Sequence, residues 1–88
     1  MIKINYRLAQ LSKIDCKALF ELFIAGEIHF RDLSLKVGFD STVQARTVLK
    51  NLNINGFVKI KNFDHNLTKA GVEYVRENWG FISTKAAL

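Results

Sequence analysis

The 88 residues predict an α+β fold, mainly α, in the order helix, short strand, helix, helix, two-stranded ribbon, helix. Three observations lead there. Apolar residues recur at three- and four-residue spacing in four separate stretches, the mark of helices that bury one face. Gly26, Gly38 and Gly56 stand where the first three of those patterns stop, as helix-ending glycines do. Between the third and fourth patterns, Phe57-Val58-Lys59-Ile60-Lys61 alternates and is rich in β-branched residues, the period of a strand.

Residues 2–8 alternate, with Ile2, Ile4, Tyr6 and Leu8 apolar and Lys3, Asn5 and Arg7 polar, which suits a half-buried strand or a lead into the first helix. Ser12 or Asp15 can cap that helix, placed near 13–25 with Cys16, Leu19, Phe20 and Phe23 on its apolar stripe. Glu27-Ile28-His29-Phe30 reads as a short extended piece with Ile28 and Phe30 on one side. RDLSLKVG then gives about two helical turns, with Leu33 and Val37 inward, Leu35 off that face and Phe39 packing back after the Gly38 stop.

Asp40, Ser41 and Thr42 are all good N-cap residues for the next helix, about 41–54. Ala45, Val48, Leu49 and Leu52 form its buried face. The opposite face holds Val43, Arg46, Thr47, Lys50 and Asn51, with Gln44 on the flank. Asn51, Asn53 and Asn55 are expected to unwind its end before Gly56. In the ribbon that follows, Lys59 and Lys61 share a face, Asn62–Asn66 has turn composition, and a short return strand ends near Leu67. Thr68 caps a last helix, about 69–78, with Val72 and Val75 as its core stripe and Tyr74 beside them. Residues 1–12 are an arm and 79–88 a tail on a single domain of residues 1–88, and Trp79, Phe81 and Ile82 in the tail suggest packing on the domain or on a second subunit.

An apolar fraction of 49% with 11% aromatics supports a packed core and argues against disorder. No apolar run approaches the roughly 20 residues of a membrane span, and MIKINYRLAQL lacks the pattern of a signal peptide. The single cysteine cannot form an internal disulfide, which suits a reducing, cytoplasmic setting; there the sequon Asn66-Leu67-Thr68 carries no weight. The net charge of +5 is uneven: residues 1–44 carry six Lys/Arg against five Asp/Glu, residues 45–88 seven against three. From Ser41 to Phe63 there are four cations, Arg46, Lys50, Lys59 and Lys61, and no carboxylate. Such a concentration points to a polyanionic partner.

The order of elements and three short motifs resemble the winged helix-turn-helix: a three-helix core, a short two-stranded wing and a C-terminal helix. Leu33 and Gly38 in DLSLKVGFDSTVQ resemble the segment joining the two helices of that motif. Leu49, Leu52 and Gly56-Phe57-Val58 resemble the passage from recognition helix to wing, and Leu67-Thr68 with Gly71 and Tyr74 the "LT-x-x-G-x-x-Y" opening of the helix after it. The match covers residues 13 to 78 and points to small bacterial or phage regulators with MarR-like or ArsR-like winged helices. The wing is short, and the long flanking dimerisation helices of full-size members are missing.

The resemblance implies a transcriptional regulator that reads double-stranded DNA, with the helix from Ser41 as the recognition helix in the major groove. The residues carry that reading independently. Gln44 can pair bidentately with adenine, and Arg46 with guanine or a phosphate. Val43 and Thr47 can meet a thymine methyl, and Lys50 suits phosphate. Ser41, Thr42 and the free amides of the first turn can hold a phosphate oxygen. Lys59 and Lys61 are expected to grip the backbone beside the wing, with His65 at its tip. Two half-sites favour a homodimer through the arm or the tail, where Trp79, Phe81 and Ile82 are candidates.

The bland reading of the same residues is a solvated helix and a strand edge that lysines protect from further pairing. An enzyme is disfavoured: one cysteine and two histidines cannot close a zinc site without carboxylates at unremarkable spacing. No glycine-rich phosphate loop or paired-carboxylate signature is present, and no cofactor is implied. Cys16 reads as core, and His29 as a satisfied structural histidine. The serious alternative is a protein-interaction module, a phage-encoded inhibitor or a subunit of a larger assembly, using Phe63, Trp79, Phe81 and Ile82.

Overall fold

The computed structural model describes residues 11–88. The strand expected over 2–8 lies outside these residues. The described chain is α+β and mainly helical: α1 (Lys13–Ala25), β1 (Glu27–His29), α2 (Phe30–Val37), α3 (Thr42–Ile54), β2 (Val58–Lys61), β3 (Asp64–Leu67), α4 (Lys69–Glu77) and α5 (Trp79–Ala87).

The starts of α1 to α4 each have a local cause, a side-chain cap. Ser12 and Asp15 close a reciprocal box, the Ser12 hydroxyl accepting from the Asp15 amide at 3.1 Å and the Asp15 carboxylate accepting from the Ser12 amide at 3.0 Å. His29 caps α2 through Nδ1, which accepts from the Arg31 amide at 3.0 Å, so it is a satisfied structural histidine as expected. Ser41 caps α3 and Thr68 caps α4. Gly38 and Gly56 follow α2 and α3 at positive φ, where other residues are strained.

The buried faces of α2 and α3 are those the spacing predicts, Leu33 and Val37, and Ala45, Val48, Leu49 and Leu52. In α1 Cys16 and Leu19 are buried together with Ala18 and Leu22, whereas Phe20 and Phe23 are only partly buried; in α4 Val75 is buried and Val72 partly so. Leu35 is exposed, and Phe39 packs against the core. Leu11, assigned to the arm, is part of the same core.

Three expectations change. The asparagines do not unwind α3: it runs to Ile54, and the Asn51 carbonyl accepts from both the Asn55 amide at 3.0 Å and the Asn55 side chain at 2.8 Å. The tail packs on its own domain, one of the two placements expected for it, and does so as a helix. It is α5, laid along α1, with Ile82 and Ala86 buried and the Trp79 ring stacked on Phe20 at 5.3 Å. Finally, the ribbon belongs to a three-stranded antiparallel sheet of order β1-β3-β2. Asp64–Leu67 is its central strand, paired on both sides, so only Asn62 and Phe63 remain in the turn. Asn62 takes positive φ there (59°), a conformation asparagine tolerates. Pairing on both edges outweighs the turn-like composition of Asp64-His65-Asn66.

The motif Leu67-Thr68 with Gly71 and Tyr74 has a physical role. The Thr68 amide donates to the Phe57 carbonyl at 2.9 Å, and its hydroxyl donates to the Gly56 carbonyl while accepting from the Gly71 amide at 3.0 Å. Tyr74 stacks on Phe57, ring centroids 4.4 Å apart. A Cβ on Gly71 would lie 2.1 Å from the Phe57 carbonyl oxygen, an overlap relieved only by moving backbone. Gly80, in α5, has nothing within 4 Å of the same position. Gly71→Ala is therefore expected to lower unfolding free energy by at least about 1–3 kcal/mol. Gly80→Ala is expected to be neutral or to stabilise by about 0.4–1 kcal/mol. Urea denaturation of the two variants measures the difference.

Candidate nucleic-acid interface

The first turn of α3 is built from its own side chains. The Ser41 hydroxyl accepts from the Gln44 amide at 3.0 Å, and Gln44 Oε1 accepts from the Asp40 amide at 2.7 Å. This changes the expectation for Gln44. Its acceptor is committed to the cap, so bidentate pairing with adenine, which needs both Oε1 and Nε2, is not open to it in this arrangement. Nε2 retains its donors, and the Ser41 hydroxyl retains one.

Beyond that turn the outward face of α3 is as the spacing predicts. Ser41, Thr42, Val43, Arg46, Thr47 and Lys50 are all exposed, Val43 to 74%. One turn of helix separates Arg46 from Lys50, so their side chains rise together on one side. They form the rim of a groove of about 240 Å³ between α3 and the β2–β3 turn. Its floor is Phe30, Leu49, Ile60 and His65, Phe63 closes the far wall, and no carboxylate lines it.

Lys59 and Lys61 lie elsewhere. Residues directly opposite across strands share a sheet face. The register sets Lys59 beside Asn66 and then Glu27, and Lys61 beside Asp64 and then His29. Ile60, His65 and Ile28 occupy the other face, toward α3 and the core. The two lysines thus point away from the Arg46–Lys50 groove and share their face with two carboxylates. The fold does not gather the four cations of residues 41–63 into one surface; it divides them into two pairs.

His65 also departs from expectation. It was expected at the wing tip, where Asn62 and Phe63 in fact stand, and its side chain is only 5% exposed. Nδ1 lies 3.1 Å from the Phe63 carbonyl, to which it donates, and the ring lies 5.8 Å from that of Phe30. The Phe63 carbonyl also accepts from the Phe30 amide at 2.7 Å, which ties the turn to the start of α2. The β2–β3 hairpin is therefore held against the domain and does not project as a free ribbon. Burial pushes the His65 imidazole below its ordinary range, only partly opposed by the Phe63 carbonyl and the Asp64 charge.

The remaining candidates are structural. Cys16 is fully buried in α1, and burial raises its thiol pKa, the opposite of what a nucleophile needs. Ile82 is fully buried in its own domain, which removes it from the candidate dimer surface; Trp79 and Phe81 remain more than one-third exposed. Among the described residues no group of three His, Cys, Asp or Glu could hold a metal ion, and no helix is long and apolar enough to cross a membrane. No protein-family model, curated protein or solved structure matches this chain.

The sign of the His65 shift gives a pH dependence. The unfolded chain titrates this group near 6.5 and the folded chain lower, so protonation favours unfolding. Its contribution is fully present above pH 6.5 and is lost as pH falls through the folded value. The urea midpoint of the wild type is expected to drop between about pH 7.5 and about pH 5.5. His65→Asn, which keeps an N–H donor near the position of Nδ1 but cannot titrate, is expected to flatten that drop.

Proposed function

We propose that this chain is a sequence-specific double-stranded DNA-binding transcriptional regulator of the winged helix-turn-helix type, acting in the cytoplasm. One observation carries the reading. The face of α3 opposite the core is a continuous exposed strip of Val43, Arg46, Thr47 and Lys50, two cations and two base-compatible side chains with no carboxylate among them. The order α1-β1-α2-α3-β2-β3 with sheet order β1-β3-β2 supports it, being the order of a winged helix-turn-helix, and one face of α3 is exposed and open to a groove.

In this reading Arg46 contacts guanine or a phosphate, Val43 and Thr47 meet thymine methyl groups, and Lys50 neutralises a phosphate. The Ser41 hydroxyl and the free amides at Thr42 and Val43 hold a second phosphate at the positive end of α3. Gln44 contributes a single donor bond. Lys59 and Lys61 act at longer range, their field reduced by Glu27 and Asp64. A homodimer supplies the second half-site, with Trp79 and Phe81 at its contact.

The exposed Leu35, Ile54 and Phe63 favour a second reading, a module that docks on another protein. DNA titrations at two salt concentrations separate the two. Lys50→Ala is expected to weaken binding to every duplex and to flatten the log–log salt dependence by about one unit. Arg46→Ala is expected to cost about 1–3 kcal/mol and to relax preference at one base pair. Lys59→Ala should change the salt slope by less than Lys50→Ala does. Absence of wild-type binding to any duplex at low salt would leave the protein-docking reading in possession.

A further inference from the structure

We propose that the groove between α3 and the β2–β3 turn is a nucleotide pocket, taking one unstacked base on its aromatic floor and that base's phosphate on Arg46 and Lys50. The inference rests on the DNA-binding reading and adds a substrate preference to it. A fully paired duplex presents sugar, phosphate and base edges, and the flat faces of its bases lie stacked inside. An interface for paired DNA alone has no use for a groove floored by Phe30, Ile60 and His65 and walled by an exposed Phe63 ring. Aromatic rings beside a cationic rim are the pattern that holds single bases in proteins of single-stranded nucleic acids.

Size and charge narrow the occupant. At about 240 Å³ the groove falls below the roughly 300–1,000 Å³ of pockets for drug-sized ligands, so it suits one flat ring system. The rim is cationic and no carboxylate lines the groove, so the occupant carries negative charge. A planar ring joined to a phosphate meets both conditions.

The wall is also preorganised. The Phe63 carbonyl is fixed by the Phe30 amide and His65 Nδ1, so the turn is held from both sides while the ring is 67% exposed. With Nδ1 donating to that carbonyl, the neutral His65 ring carries its acceptor on Nε2. His65 can therefore accept from a base amino or imino group without gaining charge.

Two duplexes of one sequence test the proposal, one fully paired and one with a single unpaired 2-aminopurine. Free 2-aminopurine deoxyribonucleoside monophosphate forms a third arm. The unpaired duplex is expected to bind about tenfold tighter than the paired one, the scale of one base–aromatic stack, with its fluorescence quenched on binding. Phe63→Ala, at an exposed position, should abolish both the preference and the quenching while leaving paired-duplex affinity within about twofold; Phe63→Tyr should retain both. Equal affinity of wild type for the two duplexes, or a preference that survives Phe63→Ala, overturns the proposal and leaves the DNA-binding reading standing. Should wild type bind neither duplex at low salt, the DNA-binding reading fails and the third arm decides the groove. Quenching of the free nucleotide that Phe63→Ala removes supports a pocket for free nucleotides; no quenching overturns the pocket as well.

Discussion

The Phe57 carbonyl is the point through which the end of α3, the start of β2 and the first turn of α4 are joined. It accepts the Thr68 amide, and the absence of a side chain at Gly71 lets α4 lie directly against it. The Phe57 amide donates to the Leu52 carbonyl at 3.0 Å, so the same residue closes α3. Its ring lies on Tyr74. Because helix, strand and helix meet at one residue, the roll of α3 about its own axis is fixed where it leaves the core. That roll decides which side chains are buried and which face out. The candidate surface thus depends on a backbone contact at the C-terminal end of the helix that carries it.

The α1–α5 pair closes the other side. Lys85 of α5 donates to the Leu11 carbonyl at 2.6 Å and lies over the Phe81 ring, with Nζ 5.3 Å from its centroid. Trp79 lies 5.3 Å from both Phe20 and Phe23, so large rings that would make a sticky terminus are turned onto their own domain. Helix α1 therefore packs on α2, α3 and α4 as well as on α5, where Phe20 and Phe23 meet Trp79. This double role explains why α1 carries apolar residues around more than one stripe.

Features set by neighbours in sequence were legible without the structure. The caps at Ser12, Ser41 and Thr68, the stops at Gly26, Gly38 and Gly56, and the buried face of α3 depend on residues three or four apart, and they hold. Features set by distant partners were not. A return strand ending near Leu67 is expected from the sequence, but its start at Asp64 and its pairing with β1 are not. The packing of residues 79–87 as a helix on α1 cannot be told there from packing on a second subunit; neither β1 nor α1 can be seen in those residues alone. The candidate site divides in the same way. The exposed strip of α3 follows from helical period, whereas the groove floor joins Phe30, Leu49, Ile60 and His65 from four different elements. Gln44 is the intermediate case. Three residues after a capping serine, a glutamine is a known partner in helix-start boxes, and that signal favours a bond back to the helix start over a bond to a base, although the amide it accepts from is that of Asp40, one residue before the cap.

A run of sequence without carboxylates need not become a surface without them. Antiparallel pairing sets β2 against β3 and β3 against β1, and so carries Asp64 and Glu27 onto the face that holds Lys59 and Lys61. Local charge there is balanced, and solvent screens what remains over about 10 Å at ordinary ionic strength. The α3 face escapes this cancellation, because its nearest neighbours across the groove are Ile60, Phe63 and His65, and none carries a negative charge. A polyanion approaching the domain therefore meets uncompensated positive charge at Arg46 and Lys50, and near neutrality one sheet face away. The sheet register, which composition cannot reveal, is what concentrates the attraction on α3 and on the aromatic groove beside it.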